Sequence, residues 1–110
     1  MSFEVLYTDN FEHRLKKLAK KYRSVKNDLE KLITALEKDP KQGTPIGKDC
    51  YKIRLAVTSK GKGKSGGARV ITHLQVAGNL VYLLSIYDKS EQENISDKEL
   101  IELLKYIQEN

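Results

Sequence analysis

The sequence lacks the patterns on which several classes of protein depend. Its one cysteine, Cys50, cannot form an internal disulfide, and no second cysteine stands near either histidine at a metal-ligand spacing. No apolar run approaches the ~20 residues of a membrane-spanning helix. The opening Met-Ser-Phe-Glu-Val has neither the basic nor the apolar region of a signal peptide. We therefore expect a cytoplasmic protein with no disulfide framework, no zinc site and no cofactor.

Acidic residues are absent from a long central segment. From Cys50 to Tyr87 there is no Asp or Glu, yet six of the 20 basic residues lie there, so the rest of the chain is nearly neutral. The net charge of +5 therefore comes from this one segment, with Lys52, Arg54, Lys60, Lys62, Lys64 and Arg69. Such a patch concentrates polyanions, most commonly nucleic acid. The alternative is a solvated lysine loop that only keeps the protein in solution.

What is present suits one small folded unit. A chain of 110 residues with 39% hydrophobic side chains can bury a single core, so we expect one domain over residues 1–110. Residues 3–8 read as a strand. Apolar residues then recur at helical spacing from Phe11 to Tyr22 and again from Val25 to Leu36, which predicts a helical hairpin with Ser24 as the second N-cap. Residues 40–49 read as a turn-rich connection.

The second half reads mainly as strands. Residues 50–57 alternate apolar and polar side chains, which places Lys52 and Arg54 on one face. Residues 58–67 hold four glycines and predict a mobile loop, and 69–76 and 80–87 predict central strands joined by a hairpin. Ser96 and Glu99 form a capping box before a short last helix. The fold class is α+β: a small antiparallel sheet, with the helices expected on one side.

Most standard catalytic arrangements are missing from the sequence. The run Gly61-Lys62-Gly63-Lys64-Ser65 matches only the end of a phosphate-binding P-loop, and a strand follows it where a helix is required. Cys50 with His13 or His73 is a background combination, and Cys50 is expected to be a packing residue. The sheet segment contains no acids for paired-carboxylate chemistry. Nucleotide hydrolysis, thiol catalysis and glycoside cleavage are therefore not favoured.

The remaining candidates are cations at strand positions. If the strands pair antiparallel in sequence order, Lys52, Arg54, Arg69 and Lys89 can surround one phosphodiester, since neighbouring strands lie ~4.8 Å apart. RNA carries its own nucleophile, the 2′-hydroxyl, so the protein needs only to align it and to stabilise the phosphorane. A lysine whose neighbours disfavour its charged form can assist proton transfer. The alternative is that Lys52 and Arg54 merely form a wet strand face.

The stretch from Tyr51 to Ile71, with its Lys-Ile-Arg and its Lys-Gly-Lys-Gly-Lys-Ser-Gly-Gly loop before Arg69, resembles the HigB branch of the RelE/ParE toxin superfamily. Val81-Tyr-Leu-Leu-Ser-Ile-Tyr-Asp-Lys89 and the late Ile95-Ser96 extend the resemblance, which covers about residues 49–100. It implies a RelE-like fold and a ribosome-dependent messenger RNA endonuclease. The implied partners are a cognate antitoxin, the ribosome and messenger RNA, with a toxin–antitoxin hetero-oligomer expected.

The resemblance also implies roles for single residues. Lys52 and Arg54 match a basic pair that flanks the scissile phosphate, Arg69 matches an arginine that stabilises the transition state, and Lys89 matches a further basic position. The RelE type has a tyrosine before its last helix, but Ile95 stands there in this chain. Tyr87 is the candidate substitute, and packing is its alternative role. The general base is left open.

Three functions are compatible with the residues. The first is the endonuclease, with Lys60, Lys62 and Lys64 binding ribosomal RNA phosphates through a flexible loop. The second is a non-enzymatic inhibitor of DNA gyrase, as in the ParE branch. The third is a degenerate relative that only binds RNA or its antitoxin. The basic outer face of the first helix is a further candidate contact for ribosomal RNA or antitoxin, and a solvated surface is the alternative.

Overall fold

Side-chain hydrogen bonds cap the starts of the first and the last long helix. The computed structural model describes residues 2–108, apart from the side chain of Gln108. The Thr8 hydroxyl accepts a hydrogen bond from the Phe11 amide at 3.3 Å and so starts the first helix two residues before the predicted Phe11. Ser24 precedes the second helix as predicted, but its side chain makes no capping bond. At the last helix Ser96 Oγ accepts from the Glu99 amide at 3.1 Å, and Glu99 Oε1 accepts from the Ser96 amide at 3.5 Å, which confirms the predicted capping box.

The elements are β1 (Glu4–Tyr7), α1 (Asp9–Lys21), α2 (Val25–Lys38), β2 (Thr44–Gly47), β3 (Cys50–Leu55), the single-turn α3 (Gly63–Gly66), β4 (Ala68–Gln75), β5 (Leu80–Asp88) and α4 (Asp97–Gln108). Within residues 2–108 the five strands form one sheet, in the order β1-β5-β4-β3-β2. Strands β2 to β5 pair antiparallel in sequence order, and β1 joins β5 in parallel. The predicted α+β class is therefore confirmed, with one parallel pair added.

Helices cover both faces of the sheet, which corrects the expectation of one covered side. Phe11, Leu15 and Leu29 of the α1–α2 hairpin pack on one face in the larger core. On the other face Leu100 and Leu103 of α4 pack in a second cluster, together with Cys50, Ile71, Leu84 and Tyr87. The sequence pattern of α4 shows that it has an apolar stripe, but not which face of the sheet that stripe meets. The second face matters because it carries Lys52 and Arg54.

The connection predicted over residues 40–49 contains a strand. Thr44 and Pro45 pair with β3, and a bulge separates Pro45 from Gly47. The two-residue turn that follows has positive φ at both Lys48 (56°) and Asp49 (59°), the geometry of a type I′ hairpin. Neither residue belongs to the Asn-Gly class that such turns favour, which explains why the hairpin is not visible in the sequence.

The glycine-rich segment 58–67 is built into the fold. It contains a 3-10 turn at Thr58–Lys60 and the single turn α3. Gly67 packs so closely on β3 that a Cβ atom there would lie 2.1 Å from the Leu55 carbonyl oxygen. Glycine is therefore required at that position by close backbone approach rather than by flexibility.

No helix in the described part of the chain combines the length and the apolar character that crossing a bilayer requires.

Candidate nucleic-acid interface

Three strands align the candidate residues in one row. Arg54 of β3 pairs with Arg69 of β4, and Arg69 pairs with Tyr87 of β5. Residues directly opposite each other in an antiparallel pair point to the same face, and residues two apart on a strand do so as well. Lys52, Arg54, Arg69 and Tyr87 therefore share the face that α4 partly covers. The register therefore brings four of the five predicted catalytic residues to one face, whereas the fifth, Lys89, follows the end of β5.

The Arg69 side chain lies beneath this surface, with only 1% of its area exposed. One terminal nitrogen, Nη1, donates to the carbonyl oxygens of Lys64 and Ala68, both at 3.1 Å. The other, Nη2, donates to the Ser65 carbonyl at 3.1 Å and lies 3.5 Å from the Glu93 carboxylate. Its Nε is buried without a hydrogen-bond partner among the described residues. Arg69 thus holds the α3 turn against the sheet as well as lying in the candidate site.

A loop between β5 and α4 reaches the other members of the set. The Lys52 ammonium donates to Asn94 Oδ1 at 2.7 Å, and the Tyr87 hydroxyl donates to the Glu93 carbonyl at 3.2 Å. Burial raises the pKa of Tyr87, and the nearby Arg69 only partly offsets this. The Tyr87 hydroxyl therefore stays protonated at neutral pH and acts as a donor.

Four of the predicted cations are exposed to solvent. Arg54, Lys62, Lys64 and Lys89 are all exposed, and no ion pair involving their side chains is found within residues 2–108. The backbone amide of Lys89 donates to the Gly67 carbonyl at 3.1 Å, which ties the end of β5 to the glycine-rich segment. These side chains are the ones that a polyanion meets first.

Lys60, predicted to bind RNA phosphates together with Lys62 and Lys64, differs from these exposed cations because its charge is already paired with an acid. Its ammonium lies 2.6 Å from Asp88 Oδ1, and only 9% of the Lys60 side chain is exposed. It also lies 5.6 Å from the centre of the Tyr22 ring. The sequence pattern groups Lys60 with Lys62 and Lys64, but the 3-10 turn directs it toward α1 instead.

Two buried aspartates anchor the segment that was predicted to be mobile. Asp28 of α2 accepts from the Thr58 amide at 2.9 Å and from the Thr58 hydroxyl at 2.6 Å. Asp88 accepts from Lys60, from the Tyr22 hydroxyl at 2.9 Å and from Ser90. Burial alone would raise the pKa of Asp88, but these hydrogen bonds outweigh burial and hold its pKa well below the usual range.

Sequence reasoning missed Glu93, Asn94 and Asp88. The acid-free segment ends just before Asp88, so the charge count gave no sign that acids return to the same site. The sequence feature that could have indicated these three residues is their position, because residues 88–94 form a polar run directly after the strand that carries Tyr87. Loops at strand ends often bring side chains to a site that is built on the sheet.

Cys50 lies near His73, but the pair is not arranged for nucleophilic chemistry. The Cys50 Sγ atom is 3.5 Å from His73 Nδ1, and Cys50 is 1% exposed. Burial raises the pKa of the Cys50 thiol to about 12. The thiol therefore stays protonated, and the contacts of Cys50 with the α4 cluster agree with the predicted packing role.

A cleft of about 300 Å³ adjoins the row of candidate residues on the same face. Tyr87, Ile95 and Leu103 form part of its lining, and Glu99 and Glu102 of α4 contribute acidic groups. Arg14 and Lys98 also line the cleft and balance these two acids, so the lining has no excess of negative charge. Its apolar part offers a surface on which a nucleobase can stack.

The fold has close counterparts among solved structures. A double arginine-to-alanine variant of the E. coli toxin RelE in the free state matches with a TM-score of 0.62, at 19% identity over 97% of this chain and 99% of that one. The isolated E. coli RelE toxin matches with a TM-score of 0.57, at 21% identity over 96% and 99% of the two chains. At this level of identity the likeness establishes a RelE-like fold.

The family follows from the sequence itself. The family model described as the RelE toxin of the RelE/RelB toxin–antitoxin system matches residues 8–109, nearly the whole chain. The chain therefore belongs to the RelE toxin family. It is a toxin of a toxin–antitoxin system, and its family implies a cognate antitoxin of the RelB type as partner. The resemblance to the RelE/ParE superfamily drawn from residues 49–100 is confirmed.

Proposed function

We propose that this toxin is a HigB-type endoribonuclease that cleaves messenger RNA on the ribosome without a metal ion. The observation that carries the proposal is the row Arg54–Arg69–Tyr87 across three strands, with Lys52 on the same face. Convergent cations suit a reaction whose transition state carries extra negative charge. The substrate supplies the nucleophile, because the 2′-hydroxyl attacks the adjacent phosphorus and no protein nucleophile is needed.

Each side chain has a distinct part in this reaction. Lys52 and Arg54 bind the scissile phosphate, and the planar guanidinium of Arg54 can hold two of its oxygens. Tyr87 donates a hydrogen bond, and Lys89 binds a neighbouring phosphate at the end of β5. A base seated in the cleft next to Tyr87 would hold the chain in line for attack.

Arg69 can contact the scissile phosphate only after the Glu93 carboxylate moves away from its guanidinium. In the structure its Nη2 group faces the Glu93 carboxylate at 3.5 Å, and the Glu93 side chain is 47% exposed. An incoming phosphate is an anion that can take the place of that carboxylate on Nη2, while the bonds from Nη1 to backbone carbonyls hold the guanidinium in position. With its guanidinium held in this position, Arg69 stabilises the phosphorane from the side of the sheet.

The exposed lysines of the glycine-rich segment supply binding to the ribosome. Lys62 and Lys64 stand on a segment that is fixed by Asp28 and Asp88, so their charges are presented at a defined place. Ribosomal RNA phosphates are the partners that fit them. We place the protein in the cytoplasm with its ribosome and messenger RNA, and we propose that the antitoxin inhibits it in a hetero-oligomer that covers this basic face.

The test is expression without the antitoxin, followed by primer-extension mapping of cuts on translated and untranslated copies of one message. We expect growth arrest and cuts on the translated copy alone. Arg54→Ala should abolish cutting, whereas Arg23→Ala, at an exposed arginine between α1 and α2, should not. DNA breaks with intact messages would instead indicate a gyrase inhibitor. Tight antitoxin binding without toxicity would indicate a degenerate relative.

A further inference from the structure

The proposed reaction needs a group that removes the proton of the 2′-hydroxyl. Ammonium and guanidinium groups are donors without an acceptor, so the charged forms of Lys52, Arg54 and Arg69 cannot serve. Tyr87 is also protonated, because burial raises its pKa. The residues that bind the phosphate therefore leave the proton acceptor unassigned.

The loop between β5 and α4 places a carboxylate at this point. Glu93 Oε2 lies 3.5 Å from Arg69 Nη2, and the backbone carbonyl of the same residue accepts from the Tyr87 hydroxyl at 3.2 Å. The next residue, Asn94, binds Lys52 at 2.7 Å. Two consecutive loop residues thus contact three of the proposed catalytic side chains. The hydrogen bond from Tyr87 holds the backbone of Glu93 in place. The Glu93 side chain is about half exposed, so it has room to change its rotamer.

Other acids on this face are engaged elsewhere. Glu99 accepts from the Ser96 amide at 3.5 Å and lies 3.4 Å from Gln92, so it holds the start of α4. Glu102 pairs with Lys105 on the same helix at 3.1 Å. Among residues 2–108, Glu93 is the acid in contact with the row of cations.

We propose that Glu93 is the general base of RNA cleavage, an inference that rests on the nuclease function proposed above. The phosphate replaces the Glu93 carboxylate on Arg69, and the carboxylate turns to the neighbouring 2′-hydroxyl. It takes that proton as the 2′-oxygen bonds to phosphorus. The bond from phosphorus to the 5′-oxygen breaks, and the leaving oxygen takes a proton from the Lys52 ammonium. The products are a 2′,3′-cyclic phosphate and a 5′-hydroxyl end, and exchange with water restores both side chains.

This assignment predicts a rate effect without a binding effect. Loss of a general base costs about 100-fold or more in the chemical step. Glu93→Gln keeps the size of the side chain and the backbone bond to Tyr87, but cannot accept the proton. It also removes a negative charge beside the cations, so RNA should bind at least as tightly as before. If Glu93 only held the loop in place or shielded Arg69 from solvent, Glu93→Gln would instead change KM or leave the rate of the chemical step unaltered.

The experiment uses the full chain, ribosomes and a synthetic message placed in the decoding site. Single-turnover rates are measured for wild type, Glu93→Gln, Glu93→Asp and the control Glu91→Gln. Glu91 is an exposed acid in the same loop, and it provides the same charge change beside Lys17 and Lys21 of α1. We expect Glu93→Gln to be about 100-fold slower at saturating protein, Glu93→Asp to recover part of the rate, and Glu91→Gln to match wild type.

Binding is measured separately with a message that carries a 2′-deoxy nucleotide at the cut site. Thermal unfolding of each variant confirms that it is folded. A Glu93→Gln variant that cuts as fast as wild type, or faster, would overturn the assignment and leave the nuclease function standing. A wild-type protein that arrests growth without cutting RNA would overturn the proposed function itself.

Discussion

Arg54 and Arg69 are direct cross-strand partners, and their side chains lie in opposite environments. Arg54 is exposed on β3, whereas Arg69 on β4 is 1% exposed and is bonded to three backbone carbonyls. Like charges directly opposite in an antiparallel pair destabilise a sheet. The fold therefore tolerates a local cost at the place where the proposed reaction needs two positive charges.

Replacing Arg54 should make the protein more stable and less active. In Arg54→Thr the repulsion disappears and a residue with good strand propensity takes its place, so we expect the free energy of unfolding to rise by roughly 0.5–1 kcal/mol at low salt. The gain should shrink at 1 M salt because the repulsion is screened. Urea titrations at both salt concentrations measure this. Lys52→Thr is the matched control, since Lys52 pairs with the apolar Ile71 and should show no such gain.

Asp88 should behave as a structural carboxylate. Asp88→Asn leaves the nearly buried Lys60 ammonium without its counter-charge, and we expect it to lower the free energy of unfolding by about 3 kcal/mol at pH 7. Because the folded pKa of Asp88 is depressed, its contribution is complete above its unfolded pKa of about 4 and is lost as pH falls toward the folded value. The difference between wild type and variant should therefore narrow below about pH 4.

A double variant distinguishes the loss of the Lys60–Asp88 ion pair from a simple loss of packing. If Lys60 and Asp88 are coupled, Lys60→Met combined with Asp88→Asn should be less destabilised than the sum of the two single changes. Urea unfolding of the wild type, the two single variants and the double variant gives the four free energies of this cycle. If the two single losses simply added, that result would contradict the pairing.

The three lysines of the glycine-rich segment should separate into two groups. Lys62→Ala and Lys64→Ala should each weaken ribosome binding and reduce its dependence on salt, by a slope of roughly one per lost phosphate contact. Their thermal stability should stay unchanged because both side chains are exposed. Lys60→Ala should instead lower the melting temperature and leave the salt dependence of ribosome binding unchanged. An equal loss of salt slope in all three variants would show that the Lys60–Asp88 pair opens on the ribosome.

The β2–β3 turn offers a stabilising change away from the site. Asp49 has a φ of 59°, a conformation that glycine adopts without strain. We expect Asp49→Gly to raise the free energy of unfolding by about 0.5–1 kcal/mol, since glycine is the usual residue at the second position of a type I′ turn. Differential scanning calorimetry would record a rise of a few degrees. The control Asp97→Gly, at the first residue of α4, should lower the melting temperature.

Local pattern was sufficient for most of the elements. The apolar spacing of Phe11, Leu15 and Leu18 predicted α1, and Ser96 with Glu99 predicted where α4 begins. The same reasoning failed for β2, because its four residues carry Pro45 and Gly47 and pair through a bulge. It also did not distinguish Lys60 from Lys62 and Lys64, since the 3-10 turn that directs Lys60 toward Asp88 leaves no trace in the local sequence pattern.

The sequence by itself determined the fold class, the family and the strand face shared by Lys52 and Arg54. These depend on periodicity and on neighbours along the chain, which a sequence records directly. The tertiary structure alone decided that Arg54, Arg69 and Tyr87 form one row, that α4 covers their face, and that Glu93 and Asn94 return to it. Register, helix placement and the path of a loop are set by contacts between residues distant in the chain, and no local pattern specifies those contacts.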